Sequence, residues 1–237
     1  MNSGWTRLSS AARYTRGTLT LREDVWRLPD GQEVVYPVLY VGVAVGVLPF
    51  VDDSRVLLVG QYRHLLGAVS WELPGGGALP GEEPVAAAQR ELREEGGYRA
   101  ERFELLTRFY PSNAYLDEVA YCYAAHGLTL DPLPADHDEF LERRVVSLAD
   151  AVRMAIDGEI TESVSKMTLL QYLARPPGRS WTSSLMTAPG RGRRSDRPDA
   201  RGRPTAARGS QGCACRRPRS TPDARRDSPC RRSSSPA

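Results

Sequence analysis

Three glutamates close together on one predicted helix carry the chemistry this sequence suggests. The segment from Pro84 to Glu95 reads as helical. Pro84 suits a first helical position, where its missing N–H would have no intrahelical partner, and Ala86, Ala87, Ala88 and Gln89 are good helix formers. Glu91 and Glu95 are i,i+4 neighbours, and Glu94 lies in the same turn. Like charges at that spacing repel. Arg90 reaches Glu94 across i,i+4, which leaves Glu91 and Glu95 short of a partner. A divalent cation resolves the conflict, because Mg²⁺ takes hard oxygen ligands and bridges carboxylates to substrate phosphates. For a bare E-x-x-E-E cluster the plainer reading is a solvated acidic face. The preceding run Gly75-Gly76-Gly77 favours chemistry, since glycine lets backbone come close to a metal or a phosphate.

The elements that must hold these groups are readable around them. Val85, Ala88 and Leu92, at i, i+3 and i+7, form an apolar stripe for the core, and Gly96-Gly97 ends the helix. Upstream, Thr18 to Leu28 and Gln32 to Tyr40 read as a hairpin about Pro29-Asp30-Gly31. Val41 to Leu48 is a near-continuous apolar run, expected of a strand covered on both faces. Arg55 to Tyr62, Ala100 to Tyr110, Val119 to Ala125 and Leu141 to Val146 are further strands. Ser147 and Asp150 form a capping box for a helix stopped by Gly158. Thr161 opens a last helix with Val164, Met167, Leu170 and Ala174 as its core stripe.

The spacing around the cluster is long and specific. It runs Gly76, five residues, Glu82, seven residues, Arg90-Glu91-Leu92, one residue, Glu94-Glu95, one residue, Gly97-Tyr98. Position for position this resembles the Nudix box, the signature of hydrolases acting on nucleoside diphosphates linked to another group. The lead-in GQYRHLLGAVSWELPGG is similar to that of the ADP-ribose pyrophosphatase group, and the likeness runs from about Tyr14 to Ala174. The resemblance implies an α/β/α sandwich around a mixed sheet, with an N-terminal antiparallel extension. It implies hydrolysis of a pyrophosphate bond in a nucleoside diphosphate sugar, with ADP-ribose giving AMP and ribose 5-phosphate. GDP-mannose, ADP-glucose, or a nucleotide-sensing module without activity are the alternatives. Mg²⁺, with Mn²⁺ as a substitute, is the implied cofactor, and a homodimer formed through the N-terminal sheet is the implied assembly.

Residue roles follow from the same resemblance. Glu91, Glu94 and Glu95 hold the metal, with a backbone carbonyl from Gly75. Arg90 orients the carboxylates, and Arg63 contacts substrate phosphate, as a planar guanidinium suits. Trp26 and Tyr36 are candidates for stacking on the base. Glu118 is a candidate substrate contact. Glu139, with Glu142 second, is the candidate base or water-orienting acid. The group's usual Pro-Gly pair is Asn113-Ala114 here, which bears on the choice of sugar.

Charge divides the chain. Residues 176–237 carry 15 Arg and 4 Asp, a net of +11, whereas residues 1–175 carry 17 basic and 25 acidic groups, a net of −8. An acidic body suits a metal-dependent site and argues against nucleic-acid binding by that body. The Arg-, Pro- and Ser-rich tail lacks apolar periodicity and is expected to be disordered. It is read as a non-functional extension in preference to a nucleic-acid arm. Expected boundaries are residues 1–40 for the β extension, 41–175 for the hydrolase domain and 176–237 for the tail. Of four cysteines, Cys213, Cys215 and Cys230 lie in the tail and Cys122 in a strand. No pairing framework is visible, which fits a cytoplasmic location. The N-terminus lacks a secretory h-region, and the run Val38 to Phe50 is too short to span a bilayer.

Overall fold

The computed structural model describes residues 4–134 and 140–175. A three-stranded antiparallel meander opens the chain: β1 (Thr6–Arg16), β2 (Leu19–Arg27) and β3 (Glu33–Tyr40). β2 and β3 are the expected hairpin; β1 adds a strand that the sequence pattern does not show. Its residues TRLSSAARYTR are mostly exposed, so no alternation marks a buried face.

Two further sheets make the body. One has the order β7–β4–β9–β8, from β4 (Val43–Pro49), β7 (Gly75–Gly77), β8 (Tyr98–Phe109) and β9 (Val119–Leu130). It is mixed, because β4 runs parallel to β9 while its other neighbour β7 is antiparallel. The other sheet has the order β10–β5–β6, from β5 (Arg55–Arg63), β6 (Ala68–Glu72) and β10 (Leu141–Ser147). Helix α1 (Pro84–Glu91) packs Ala87 and Ala88 against Val45, Val47, Tyr123 and Ala125 on one side of the mixed sheet. Helices α2 (Leu148–Asp157) and α3 (Ser163–Leu173) pack on the other, where Leu48, Leu106 and Ala124 meet Val152, Met154 and Leu169. Successive residues of β4 thus feed opposite cores, as alternation along a strand requires. The result is an α/β/α sandwich with a mixed sheet. Among the described residues no helix is long and apolar enough to cross a membrane.

Three local expectations are corrected. Val85 is 44% exposed; the buried face of α1 is Ala87, Ala88 and Glu91, continuing to Leu92. The helix does not remain α to Glu95: Leu92–Gly96 is a π turn, closed by the Gly97 N–H onto the Leu92 carbonyl, with Gly97 at φ 82°. Helix α3 is capped by Glu162, whose carboxylate accepts from the Val164 and Ser165 N–H groups, and it buries Ser165, Thr168 and Leu169 while Met167 and Ala174 are exposed. Small polar residues replace the apolar stripe because the helix sits so close to β4. A Cβ on Gly46 would lie 2.4 Å from Val164 Cγ1. The buried hydroxyls are satisfied: Ser165 accepts from the Leu73 N–H at 2.8 Å, and Thr168 donates to the Val164 carbonyl at 2.6 Å. Ser147 caps α2 as expected, accepting from the Asp150 N–H at 3.0 Å, and Gly158 ends it at φ 88°.

Candidate active site

Strand β7 is all glycine, and at Gly75 and Gly76 the reason is steric. It pairs with β4 so closely that a Cβ on Gly75 would sit 2.2 Å from the Val45 carbonyl oxygen. A Cβ on Gly76 would sit 2.6 Å from Glu91 Oε1. Bare backbone therefore lies directly against a helix carboxylate. The Gly75 N–H donates to Glu95 Oε2 at 2.7 Å, tying the loop to the π turn. Glu95 is buried, at 3% exposure.

Arg90 organises the cluster more widely than i,i+4 spacing foresees. Its Nη1 donates to both Glu91 Oε1 and Glu94 Oε2 at 2.8 Å. Nε and Nη2 reach the two oxygens of Glu82 at 3.1 Å, and Nη2 also meets the Gly77 carbonyl at 2.8 Å. Glu91 is therefore partnered, against expectation, because the side chain of Arg90 curls back towards Glu82 and β7. Hydrogen bonding to Glu82, foremost, holds the Arg90 pKa above its ordinary value, so the guanidinium never titrates. The same bond draws the Glu82 carboxyl below the usual range, helped by the Leu79 N–H. Three carboxylates, Glu82, Glu91 and Glu94, bond this one guanidinium, and Glu95 is a fourth acid in the same turn as Glu94.

Beside the cluster lies a cavity of about 380 Å³ lined by Arg63, Glu72, Gly75 to Gly77, Glu118, Glu162 and Ser165. Arg63, at the end of β5, makes a two-pronged pair with Glu72, Nε donating to Oε1 at 2.9 Å. Glu72 is thus a charge partner, and it is buried at 5% exposure while Arg63 keeps 43% of its side chain open. Glu118 lies in the same wall. Burial raises its pKa first, and the nearby carboxylates of Glu162 and Asp117 add to the shift. Three carboxylates against one arginine make the cavity acidic. A second cavity of about 400 Å³ adjoins it along Thr18, Val41 and Val43, and extends to Glu82 and Asp117.

The structure thus brings together Arg63, Gly75, Gly76, Glu82, Arg90, Glu91, Glu94, Glu95, Gly97 and Glu118. Trp26 and Tyr36 stand elsewhere, grouped with Trp5 at ring-centroid separations of 6.4 and 6.2 Å, and line neither cavity. Glu139 lies outside the described residues, and Glu142 is an exposed residue of β10. Sequence reasoning missed Glu162, Ser165 and Asp117. Asp117 accepts from the Val41 and Gly42 N–H groups at 2.8 and 3.1 Å, fixing the N-terminal sheet's exit into β4. An acid just before a Ser-Val-Ser helix start was the available signal for Glu162.

A cation is tested against this arrangement by its donor chemistry. Among the described residues no three His, Cys, Asp or Glu side chains stand together as a ready-made ligand group. Yet the donors are all oxygen, carry a formal excess of three negative charges over Arg90, and adjoin bare glycine backbone. That set suits a hard dication.

Residues 41–166 match the NUDIX domain family model. The chain is 34% identical over 153 residues to the ADP-ribose pyrophosphatase of Bacillus subtilis (strain 168), covering 64% of this chain and 82% of that protein. It is also 34% identical over 161 residues to the ADP-ribose pyrophosphatase of Mycobacterium tuberculosis (strain ATCC 25618 / H37Rv), covering 67% and 78%. A crystal structure of an ADP compounds hydrolase superposes with a TM-score of 0.63 at 23% identity, covering 71% of this chain and 92% of that one. With a complete signature on a glycine strand and π-ended helix, this chain belongs to the Nudix family and is a Nudix hydrolase.

Proposed function

We propose that this enzyme hydrolyses the pyrophosphate bond of a nucleoside diphosphate sugar, with ADP-ribose as substrate and Mg²⁺ as cofactor. The observation that carries the reading is the acidic cavity beside the Glu82–Arg90–Glu91–Glu94–Glu95 cluster. A diphosphate is repelled from such a wall unless cations enter with it. The 34% identity to two ADP-ribose pyrophosphatases supports the choice of substrate.

Glu91, Glu94 and Glu95, with the Gly75 carbonyl, are the residues that would hold the cations. Bound there, dications neutralise the diphosphate and lower the pKa of the attacking water. Arg90, whose Nη1 bridges Glu91 and Glu94, offsets their mutual repulsion and aims both carboxylates. Arg63, anchored by Glu72 and open on its other side, meets a substrate phosphate oxygen, and Glu118 contacts the sugar side. Water attacks one phosphorus, the bridging P–O bond breaks, and AMP and ribose 5-phosphate leave; Glu139 takes the proton. Charge neutralisation and positioning dominate, as phosphoryl chemistry requires. Trp26 and Tyr36, which line neither cavity of their own chain, serve the base of a substrate bound to the partner in a cytoplasmic homodimer.

The test is a Mg²⁺-dependent screen of ADP-ribose, ADP-glucose, GDP-mannose and dinucleotides, run on wild type and Glu95→Gln. ADP-ribose is expected to lead. Glutamine keeps an oxygen for the Gly75 N–H, so the fold should persist while turnover falls about 100-fold or more. Wild-type turnover by that variant would refute the assigned site.

A further inference from the structure

Arg143 has no place in the roles assigned so far. It lies in β10 beside Arg144, and the two side chains leave opposite faces of the strand. Arg144 sets its guanidinium 4.6 Å from the Trp71 ring centroid. Arg143 instead reaches the end of the glutamate-bearing helix. Its Nε donates to the Glu95 carbonyl at 2.6 Å and its Nη2 to the Glu94 carbonyl at 3.3 Å. The guanidinium passes beneath Gly97, where an added Cβ would come within 3.8 Å of its central carbon.

The last carbonyls of a helix have no intrahelical donors. In this one the Gly97 N–H returns to the Leu92 carbonyl, so the carbonyls that follow Leu92 depend on donors from outside the helix. The Leu133 N–H meets the Arg93 carbonyl at 3.1 Å, and the Asp131 N–H meets the Gly97 carbonyl at 3.1 Å. Arg143 supplies two of the three carbonyls between them, those of Glu94 and Glu95. A cation at a helix C-terminus is also favoured by the helix dipole. The backbone of the two glutamates is thus set by one side chain 48 residues further along the chain.

We propose that Arg143 is a positioning residue for Glu94 and Glu95, locking the π turn so that both carboxylates leave the backbone in the directions cation binding requires. The inference rests on the metal-site reading above. Arg143 touches neither substrate nor cation; it acts through two carbonyl groups. Lysine cannot replace it, because a single ammonium lacks the planar fork that spans both carbonyls.

The experiment titrates Mn²⁺ into the full-length protein without substrate and follows binding by electron paramagnetic resonance. Arg143→Gln and Arg143→Ala are expected to bind Mn²⁺ about tenfold more weakly, the scale for losing a group that orients a ligand, with Arg143→Lys in between. At saturating metal, kcat should fall while KM for the nucleotide sugar stays near wild type. Arg144→Gln, on the opposite face, should bind Mn²⁺ as wild type does. Wild-type Mn²⁺ affinity in folded Arg143→Gln overturns the inference, and so does an equal loss in Arg144→Gln, which would mean general damage to the strand. If the Gln and Ala variants do not fold, Arg143→Lys decides alone: weakened binding supports the inference and wild-type binding overturns it. Failure of wild type itself to bind Mn²⁺ overturns the metal site as well, and so is distinguishable from failure of Arg143 alone.

Discussion

Arg90→Ala is the perturbation whose size the structure allows to be worked out. The side chain is 22% exposed and makes contacts with Glu82, Glu91, Glu94 and the Gly77 carbonyl. Its loss leaves three carboxylates facing one another in a partly buried cluster. Breaking a fully buried pair by deleting one partner costs about 3–5 kcal/mol. Water can enter the space that alanine vacates here, so about 2–4 kcal/mol is expected. For a chain of this length that is a fall of roughly 4–16 °C in Tm. Arg90→Lys keeps the charge but not the fork, and should lose about half as much. The assay is thermal and urea unfolding of the full-length protein in EDTA, repeated in Mg²⁺. Added Mg²⁺ should narrow the deficit, because a ligand bound only by the folded state stabilises it and the dication supplies the missing positive charge. A loss in EDTA below about 0.5 kcal/mol, the scale of an ordinary surface pair, would show that Arg90 does not organise the cluster. A deficit that Mg²⁺ leaves unchanged would separate Arg90 from the metal site.

Two further predictions concern the walls of the cavity. Gly46→Ala places a Cβ 2.4 Å from Val164 Cγ1 on the stiff first turn of α3, so stability should drop by about 1–3 kcal/mol; an unchanged unfolding midpoint would mean that α3 moves aside freely. Glu118 has a raised folded-state pKa, from burial first and then from Glu162 and Asp117. A raised carboxyl contributes no penalty below its ordinary value of 4.5, and a growing one as pH rises from there through the folded value. Glu118→Gln should therefore raise the Tm of the metal-free protein at about pH 7 and leave it unchanged near pH 4; equal midpoints at neutral pH would refute the burial argument.

Elements whose causes are local were readable in advance. Pro84 starts α1, Gly97 caps the turn at positive φ, and Ser147 with Gly158 brackets α2, because each signal lies within one helical turn of what it controls. The apolar run of β4 announced a strand buried on both faces, and it is one. Side-chain periodicity failed where helices approach a sheet too closely for large residues. Val85 and Met167 of the expected stripes are exposed, while Ala87, Ser165 and Thr168 take the contact beside the expected Ala88 and Leu92. Strand β1 carries no alternation, since its position depends on pairing with β2 and not on its own pattern.

The chain alone determined which acids cluster, because their spacing along one helix is a property of the covalent sequence and needs nothing else folded. The tertiary structure decided how they are held. Arg90 bends back to Glu82 and Gly77, the Gly75 N–H meets Glu95, and Arg143 closes the turn from β10. It also decided that Glu118 and Glu162 join Arg63 and Glu72 in one acidic wall. Those contacts link residues up to about a hundred positions apart. Hydrogen-bond geometry forms only when strand pairing and helix packing bring such groups within about 3 Å, and no local rule of composition encodes that meeting.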